Sequence, residues 1–416
     1  MKQLSAIVLC LSMATGAFAQ VSFDKKGSLS GLIGRIEAVN AGAQVIPVPG
    51  NPKAGKKWTF MVYVNAKNNL ESFGLKDVNE MEMVGSDENV NVVAELGRIN
   101  GYSTSDGDWK GSRRYLIQKD NNVNAITSPV VMEIPKSDMG SWKNLAEFVN
   151  WAKANYPAQN YALVVWNHGA GWNKAEPRLE DRGISYDDET GHHITTPELR
   201  QALSAAGGVN IFSMDACLMQ MAEVAYEIKG LAEYTVGSEE TEPGDGYTYN
   251  TILGPLAAKP SMGSAELAKV MVDSYGDHYQ GINQGGTQSA INMAALDGYV
   301  AETNKFVAAV MGANDLAVAK NARTSAQAYY YSTNKDMYHY AKLVGDASAD
   351  ANVKAAANSL MSYIKNSLVL HNRAVTAKYA NSYGIAVYIP TAYTAAYDTL
   401  LWAKDSAWDD FTRWLK

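Results

Sequence analysis

Residues Tyr161–Trp172 read YALVVWNHGAGW, and Val209–Met221 read VNIFSMDACLMQM. Each stretch starts as an unbroken apolar run and ends in residues that can carry chemistry: Asn167-His168-Gly169 in the first, Asp215-Ala216-Cys217 in the second. Continuous apolar strands are what a parallel sheet covered on both faces requires. Between the two lies a long polar segment and then a helix opening at Thr196-Pro197, with Thr196 read as the N-cap and Pro197 as the first helical residue. Leu199, Ala202, Leu203 and Ala206 give that helix one apolar face. A strand-helix-strand crossover makes the strands parallel. His168 and Cys217 then leave the sheet at the same carboxyl edge, where open α/β sheets place their ligands.

The alternation continues outward. Trp58–Val64 (WTFMVYV) reads as a buried strand, followed by a helix around Leu70–Met83 and a second strand at Val90–Leu96. Arg114–Gln118 and Val130–Ile134 read as a strand pair, and Leu145, Phe148, Val149 and Ala152 mark a helix face. After about Leu296 the pattern is mainly helical (Tyr299–Met311, Val318–Ala328, Val353–Leu368), with one strand at Gly384–Ile389. The expected class is therefore α/β, with a mostly parallel central sheet and a largely helical C-terminal extension. No Pro/Ser-rich connector precedes that extension, so residues 297–416 are expected to pack on the 58–296 domain.

At 416 residues, 47% hydrophobic and 19% charged, the chain has ample material for a large core. Met1–Ala19 runs from Lys2 through an apolar stretch to Ala17-Phe18-Ala19, the pattern of a bacterial secretory signal peptide cleaved near Ala19. Gln20–Lys57 reads as a leader or propeptide-like segment. No later stretch approaches the roughly 18 consecutive apolar residues of a membrane span. A lipoprotein reading would need Cys10, which follows the bulky Leu9 in mid-stretch. Losing the peptide removes Lys2 and makes the net charge one unit more negative than −7. An acidic, exported protein is a poor partner for nucleic acid, which is bound through basic surface. Location in the periplasm or outside the cell follows from the same peptide.

The chain has two cysteines, and removal of Cys10 leaves Cys217 as the sole thiol. A lone cysteine in an exported protein is either a buried bystander or a reactive group. As a nucleophile it needs a thiolate, and an imidazole nearby can take its proton. A helix read over Leu218–Lys229 would add its positive end. The N–H groups of Gly169 and Cys217 are placed to donate to an oxyanion.

These residues resemble a known family. VVWNHGAGW, IFSMDACLMQMAEVAYE and GSEETEPGDGY, with TFMVYVNAKNNLE, SYGIAVYIP and WDDF at the two ends, are similar to the clostripain family of cysteine endopeptidases, relatives of caspases, gingipains and legumains. The resemblance implies a caspase-like α/β/α sandwich. It also implies a Cys217–His168 dyad, an oxyanion hole from Gly169 and Cys217, and cleavage after Arg or Lys through a thioacyl-enzyme. Asp215 and Asp245 are the implied carboxylates of the pocket for the basic side chain, which a guanidinium or ammonium would satisfy. Glu239, Glu240 and Glu242 read as structural or rim groups. Family members often cut themselves between the His and Cys strands. Here that interval holds Lys174, Arg178 and Arg182, and Arg182-Gly183 is the expected bond, ahead of Arg178. The implied partners are peptides or proteins with basic residues.

Other features carry less. Adjacent His192 and His193 cannot easily share one tetrahedral ion, so no metal site is assigned and no cofactor is required. Calcium, known in the family, is allowed by the acidic loops, although no EF-hand pattern occurs. G-x-S-x-G is absent, which argues against a lipase-like serine hydrolase. Tyr329, Tyr330, Tyr331, Tyr338 and Tyr340 would either line a groove or pack in the core. Two other readings stand beside the peptidase: a catalytically silent caspase-like binding protein, and a hydrolase or acyltransferase using the same dyad on non-peptide amides.

Overall fold

The computed structural model describes residues 55–172 and 183–416, together with the backbone of Gln44–Val45. The expected signal peptide, nearly all of the 20–57 leader, and Lys174, Arg178 and Arg182 lie outside the described residues. The strands are β1 (Gln44–Val45), β2 (Lys56–Asn65), β3 (Val90–Arg98), β4 (Gly111–Leu116), β5 (Val130–Ile134), β6 (Ala158–Trp166), β7 (Ile184–Asp187), β8 (His192–Ile194), β9 (Val209–Asp215), β10 (Ala232–Gly237), β11 (Gly286–Asn292), β12 (Asn334–Asp336), β13 (Val369–Val375) and β14 (Ala386–Tyr388). One sheet runs in the order β1-β5-β4-β3-β2-β6-β9-β10-β11-β13. Its centre, β3-β2-β6-β9-β10, is parallel. Antiparallel strands flank it on both sides.

Side-chain alternation along the central strands builds two cores. Met61, Tyr63, Leu163, Val165, Phe212 and Met214 point to one face, where they meet Leu145 and Phe148 of the Trp142–Asn155 helix and Leu199 of the Thr196–Ala205 helix. Phe60, Val62, Val64, Val164 and Ile211 point to the other, against the helices Glu71–Glu82, Tyr249–Ala258 and Ser264–Gly281. These strand residues are fully buried, as apolar runs lacking polar alternation demand. Each large side chain so removed from water contributes about 1.5–3 kcal/mol. Most buried apolar residues from Leu296 to Leu415 join the first of these cores, while Val375 joins the second.

Three local readings are corrected. The crossover helix is capped by Thr195, not Thr196: the Glu198 carboxylate accepts the Thr195 N–H at 3.0 Å, and Pro197 sits one residue deeper. The helix read over Leu218–Lys229 is confined to Ala222–Glu227. The helix read to Leu368 ends in a wide turn at Ile364–Leu368, after which Val369–Val375 adds to the sheet edge beside β11. That strand hides in the sequence because His371, Asn372 and Arg373 break its apolar pattern. Arg373 is held there by Asp273 and Asp277 of the Ser264–Gly281 helix. Among the described residues no helix is long and apolar enough to cross a membrane.

Candidate active site

The parallel register sets the site. Trp166 on β6 pairs with Asp215 on β9, and the Asn167 N–H donates to the Asp215 carbonyl at 3.2 Å. His168 and Cys217 each stand two residues past that pair, so both emerge side by side at the carboxyl edge. The loops behind them touch: a Cβ on Gly169 would lie 2.4 Å from the Cys217 carbonyl oxygen and 3.0 Å from the Ala216 Cβ. Glycine at 169 thus permits the close approach of the His loop to the Cys loop. The same loop is bridged to β7 by Ala170 N–H to Gly183 O (2.9 Å) and Ser185 N–H to His168 O (3.3 Å).

Cys217 is buried, and the chain turns sharply after it. Leu218 adopts φ +64°, a left-handed conformation costing an ordinary residue about 1–2 kcal/mol. The turn is fixed by Leu218 N–H to Glu240 O (3.0 Å) and Gln220 N–H to Ser238 O (2.9 Å). Leu218–Met221 separate the thiol from the short Ala222–Glu227 helix, so the expected helix end does not follow Cys217 directly. The Glu242 backbone holds the sulfur instead: its N–H donates to Sγ at 3.3 Å, a contact that suits a thiolate, and its carbonyl accepts from Sγ at 3.9 Å.

His168 is over nine-tenths buried, with 8% of its surface exposed. Its Nε2 lies 2.8 Å from the Asn69 side-chain oxygen, while Nδ1 is buried with no hydrogen-bond partner among the described residues. Asn69 follows β2 and precedes the Glu71–Glu82 helix. The sequence reading missed it; the polar residues Asn65, Lys67, Asn68 and Asn69 at the end of a buried strand were the available signal.

Asp215 lies beneath the Cys loop. It accepts the Tyr249 hydroxyl at 2.8 Å and the Tyr247 N–H at 3.3 Å. Burial pushes its carboxyl up to about 6, against hydrogen bonds from Glu242 and Tyr249 that favour ionisation. Asp77, which accepts Trp166 Nε1–H at 2.7 Å, is also pushed well up, first by burial and then by the charge of Asp215. Glu80 is raised by burial despite Lys76. Asp245 occupies the outer side of this cluster, where it pairs with Lys76 at 2.9 Å; Gly246 alone separates it from Tyr247, whose N–H donates to Asp215. A Cβ at 246 would fall 2.7 Å from Asp215 Oδ1, so glycine is needed there as well. The acids gathered nearest Asp215 are thus Asp77, Glu80 and Glu242. Asp77 and Glu80 were legible only as two carboxylates one turn apart on the first helix; Glu242 was read as a structural or rim group.

Gly183 is described while Arg182 is not. Gly183 has φ +126°, and a Cβ there would lie 1.9 Å from the Ile194 carbonyl. His192 and His193 diverge: His192 pairs with Asp138 at 2.6 Å, and His193 stacks on Tyr186 with ring centres 4.9 Å apart. Tyr329 and Tyr340 are core residues, Tyr338 stacks on Tyr383 at 4.0 Å, and Tyr330 is half exposed.

A three-layer α/β protein with cysteine and histidine matched in register at the carboxyl edge of its parallel strands has the architecture of the caspase-like cysteine peptidases. The chain belongs to the clostripain family of C11 peptidases, whose sequence profile matches residues 62–414. It is 31% identical over 238 residues to clostripain of Hathewaya histolytica, an alignment covering 52% of this chain and 45% of that protein. The chain therefore spans less than half the length of this curated relative. A secreted C11 cysteine protease from Bacteroides thetaiotaomicron, solved with an irreversible peptide inhibitor, superposes with a TM-score of 0.64 at 18% identity, covering 85% of this chain and 100% of that one. An inactive zymogen C11 protease from Parabacteroides distasonis gives 0.62 at 21% identity, covering 87% and 99%. Both share the fold.

Proposed function

We propose that this chain is a secreted or periplasmic cysteine endopeptidase that cleaves peptides after Arg or Lys and cuts itself between the His and Cys strands. The observation that carries the reading is the register match of His168 with Cys217 above a buried acidic cluster centred on Asp215. In the proposed reaction His168 takes the Cys217 proton and the thiolate attacks the scissile carbonyl. The resulting oxyanion is held by the N–H groups of Gly169 and Cys217. Collapse expels the amine, which receives the proton from His168, and leaves a thioacyl-enzyme that water hydrolyses with His168 again as base. The cationic side chain of the substrate enters toward Asp215, with Asp245 at the outer side, and supplies the positive charge that the inner carboxylates lack. This chemistry needs no cofactor; calcium would act on the acidic loops and not in the bond-making steps. Arg182-Gly183 is the proposed processing bond, with the new end beside the Ala170 strand contact.

Hydrolysis of fluorogenic peptides ending in Arg, Lys or Asp, by wild type, Cys217→Ala and His168→Ala, tests the reading. Turnover of the basic peptides, absent in both variants, is expected. Turnover that survives Cys217→Ala, or none by a fully processed wild type, would overturn it.

A further inference from the structure

We infer that Asn69 is the third member of the catalytic constellation, a positioning residue that fixes both the orientation and the tautomer of His168. This rests on the dyad reading above. The amide oxygen of Asn69 can only accept, so the 2.8 Å contact places the imidazole proton on Nε2. Nδ1 then carries the free lone pair. It is the buried ring atom without a hydrogen-bond partner among the described residues, as a general base awaiting the thiol proton must be. In the imidazolium that forms, Nε2–H keeps its bond to Asn69 while Nδ1–H becomes available to the leaving amine. One acceptor thus serves both halves of the reaction, in the manner of an orienting group behind a catalytic histidine.

The Asn69 turn is rigid enough for the task. The neighbouring Asn68 donates to Tyr186 O at 2.9 Å and accepts the Leu70 N–H at 2.9 Å. Lys67 is fully buried against Asp187 at 3.2 Å, and Asn65 Nδ2–H donates to the Ser185 hydroxyl at 3.1 Å. Asn167, adjacent to the histidine, accepts the Tyr186 N–H at 2.8 Å. The turn that presents Asn69 and the loop that presents His168 are therefore both fastened to β7. Their relative position is set before any substrate arrives, which is what a tautomer-fixing contact requires.

Three variants separate this role from a structural one. Asn69→Leu keeps the side chain's shape without an acceptor, Asn69→Ala removes it, and Asn69→Asp restores an acceptor at the same place. On an Arg peptide, Leu and Ala are expected to lower kcat by about tenfold to a hundredfold with KM unchanged, up to the lower end of what general acid-base catalysis contributes, because His168 itself stays in place. Asp is expected to recover most of the loss, and alkylation of Cys217 by iodoacetamide should follow the same order. Wild-type kcat in the Leu and Ala variants, or an Asp variant as poor as Leu, would overturn the assignment. His168→Ala, run alongside, reports on the dyad itself: full activity there would defeat the dyad reading, whereas its inactivity together with normal Asn69 variants would defeat only this one.

Discussion

Trp166 and Asp215 are direct partners across β6 and β9, and everything at the site is measured from that pair. Because His168 and Cys217 each follow it by two residues, their separation depends on how closely the two loops approach, and Gly169 sets that distance. Gly169→Ala would drive a methyl group to 2.4 Å from the Cys217 carbonyl, against backbone that cannot swing aside. Overpacking of this kind costs about 1–3 kcal/mol. The expected outcome is a folded variant with a lowered denaturation midpoint and turnover reduced by more than its stability loss explains. Turnover equal to wild type would show that the loops tolerate the wider spacing.

Asp215 should govern selectivity for a basic side chain. Asp215→Asn retains the shape and the acceptor for Tyr249 but removes the charge. A hydrogen bond to a charged group contributes about 1.5–3 kcal/mol, so kcat/KM for Arg peptides should fall by about tenfold to a hundredfold while neutral peptides are unaffected. Asp245→Asn, at an exposed site already paired with Lys76, should have the smaller effect. An equal loss for neutral and basic peptides would mean that Asp215 supports the Cys loop and does not read charge.

The buried acids make stability depend on pH in a definite direction. Burial pushes Asp215 up to about 6 from 3.8, and both Glu223 and Asp336 up to about 7, from 4.5 and 3.8. A raised carboxyl means the folded state holds its proton more tightly than the unfolded chain. The resulting stabilisation is complete below the unfolded values near 4 and is lost as pH rises through about 6 to 7. Urea midpoints of Cys217→Ala, which cannot digest itself, should therefore be higher at pH 5 than at pH 8. Asp336→Asn should flatten the difference, since its partner Glu239 is raised by burial and by the Asp336 charge. A midpoint that rises from pH 5 to 8 would contradict this.

Most of the catalytic half of the fold was legible because it is written in long apolar runs. A strand buried on both faces, such as Tyr161–Trp166, has no other comfortable home, and two of them joined by a helix must lie parallel. The strand after Leu368 was illegible for the opposite reason: an edge strand is half solvated, and its polar residues are chosen by neighbours far away in sequence. The helix after Cys217 was misplaced because MQMAEVAYE has helical composition throughout, while tertiary contacts of Leu218 and Gln220 with the segment after β10 unwind its first turn. Asn69, Asp77 and Glu80 were missed as site residues because a polar turn after a strand and two carboxylates one turn apart on a helix are common features that do not by themselves point to a site. They matter only because β2 lies next to β6.

Cutting the chain between the His and Cys strands should not release the two pieces. Residues Ala162–Trp166 and Ile211–Asp215 are neighbours at the middle of the sheet, so a cut upstream of Gly183 leaves one fragment holding β2, β3 and β6 and the other holding β9, β10, β11 and β13. The second fragment also contributes β7 to the first. Lys67 is buried against Asp187, Met139 N–H donates to the same carboxylate at 2.9 Å, and Asn68 binds the Tyr186 carbonyl. Removing one partner of such a buried ion pair costs about 3–5 kcal/mol. Processed protein is therefore expected to show two bands on a denaturing gel yet elute as one peak at the volume of the uncut Cys217→Ala chain. Lys67→Met should lower the urea concentration at which the fragments part, and with it the activity of the cut form, since this clamp also holds the turn that carries Asn69. Fragments that separate in native buffer would mean that the sheet contacts across the cut are too weak to hold the site together.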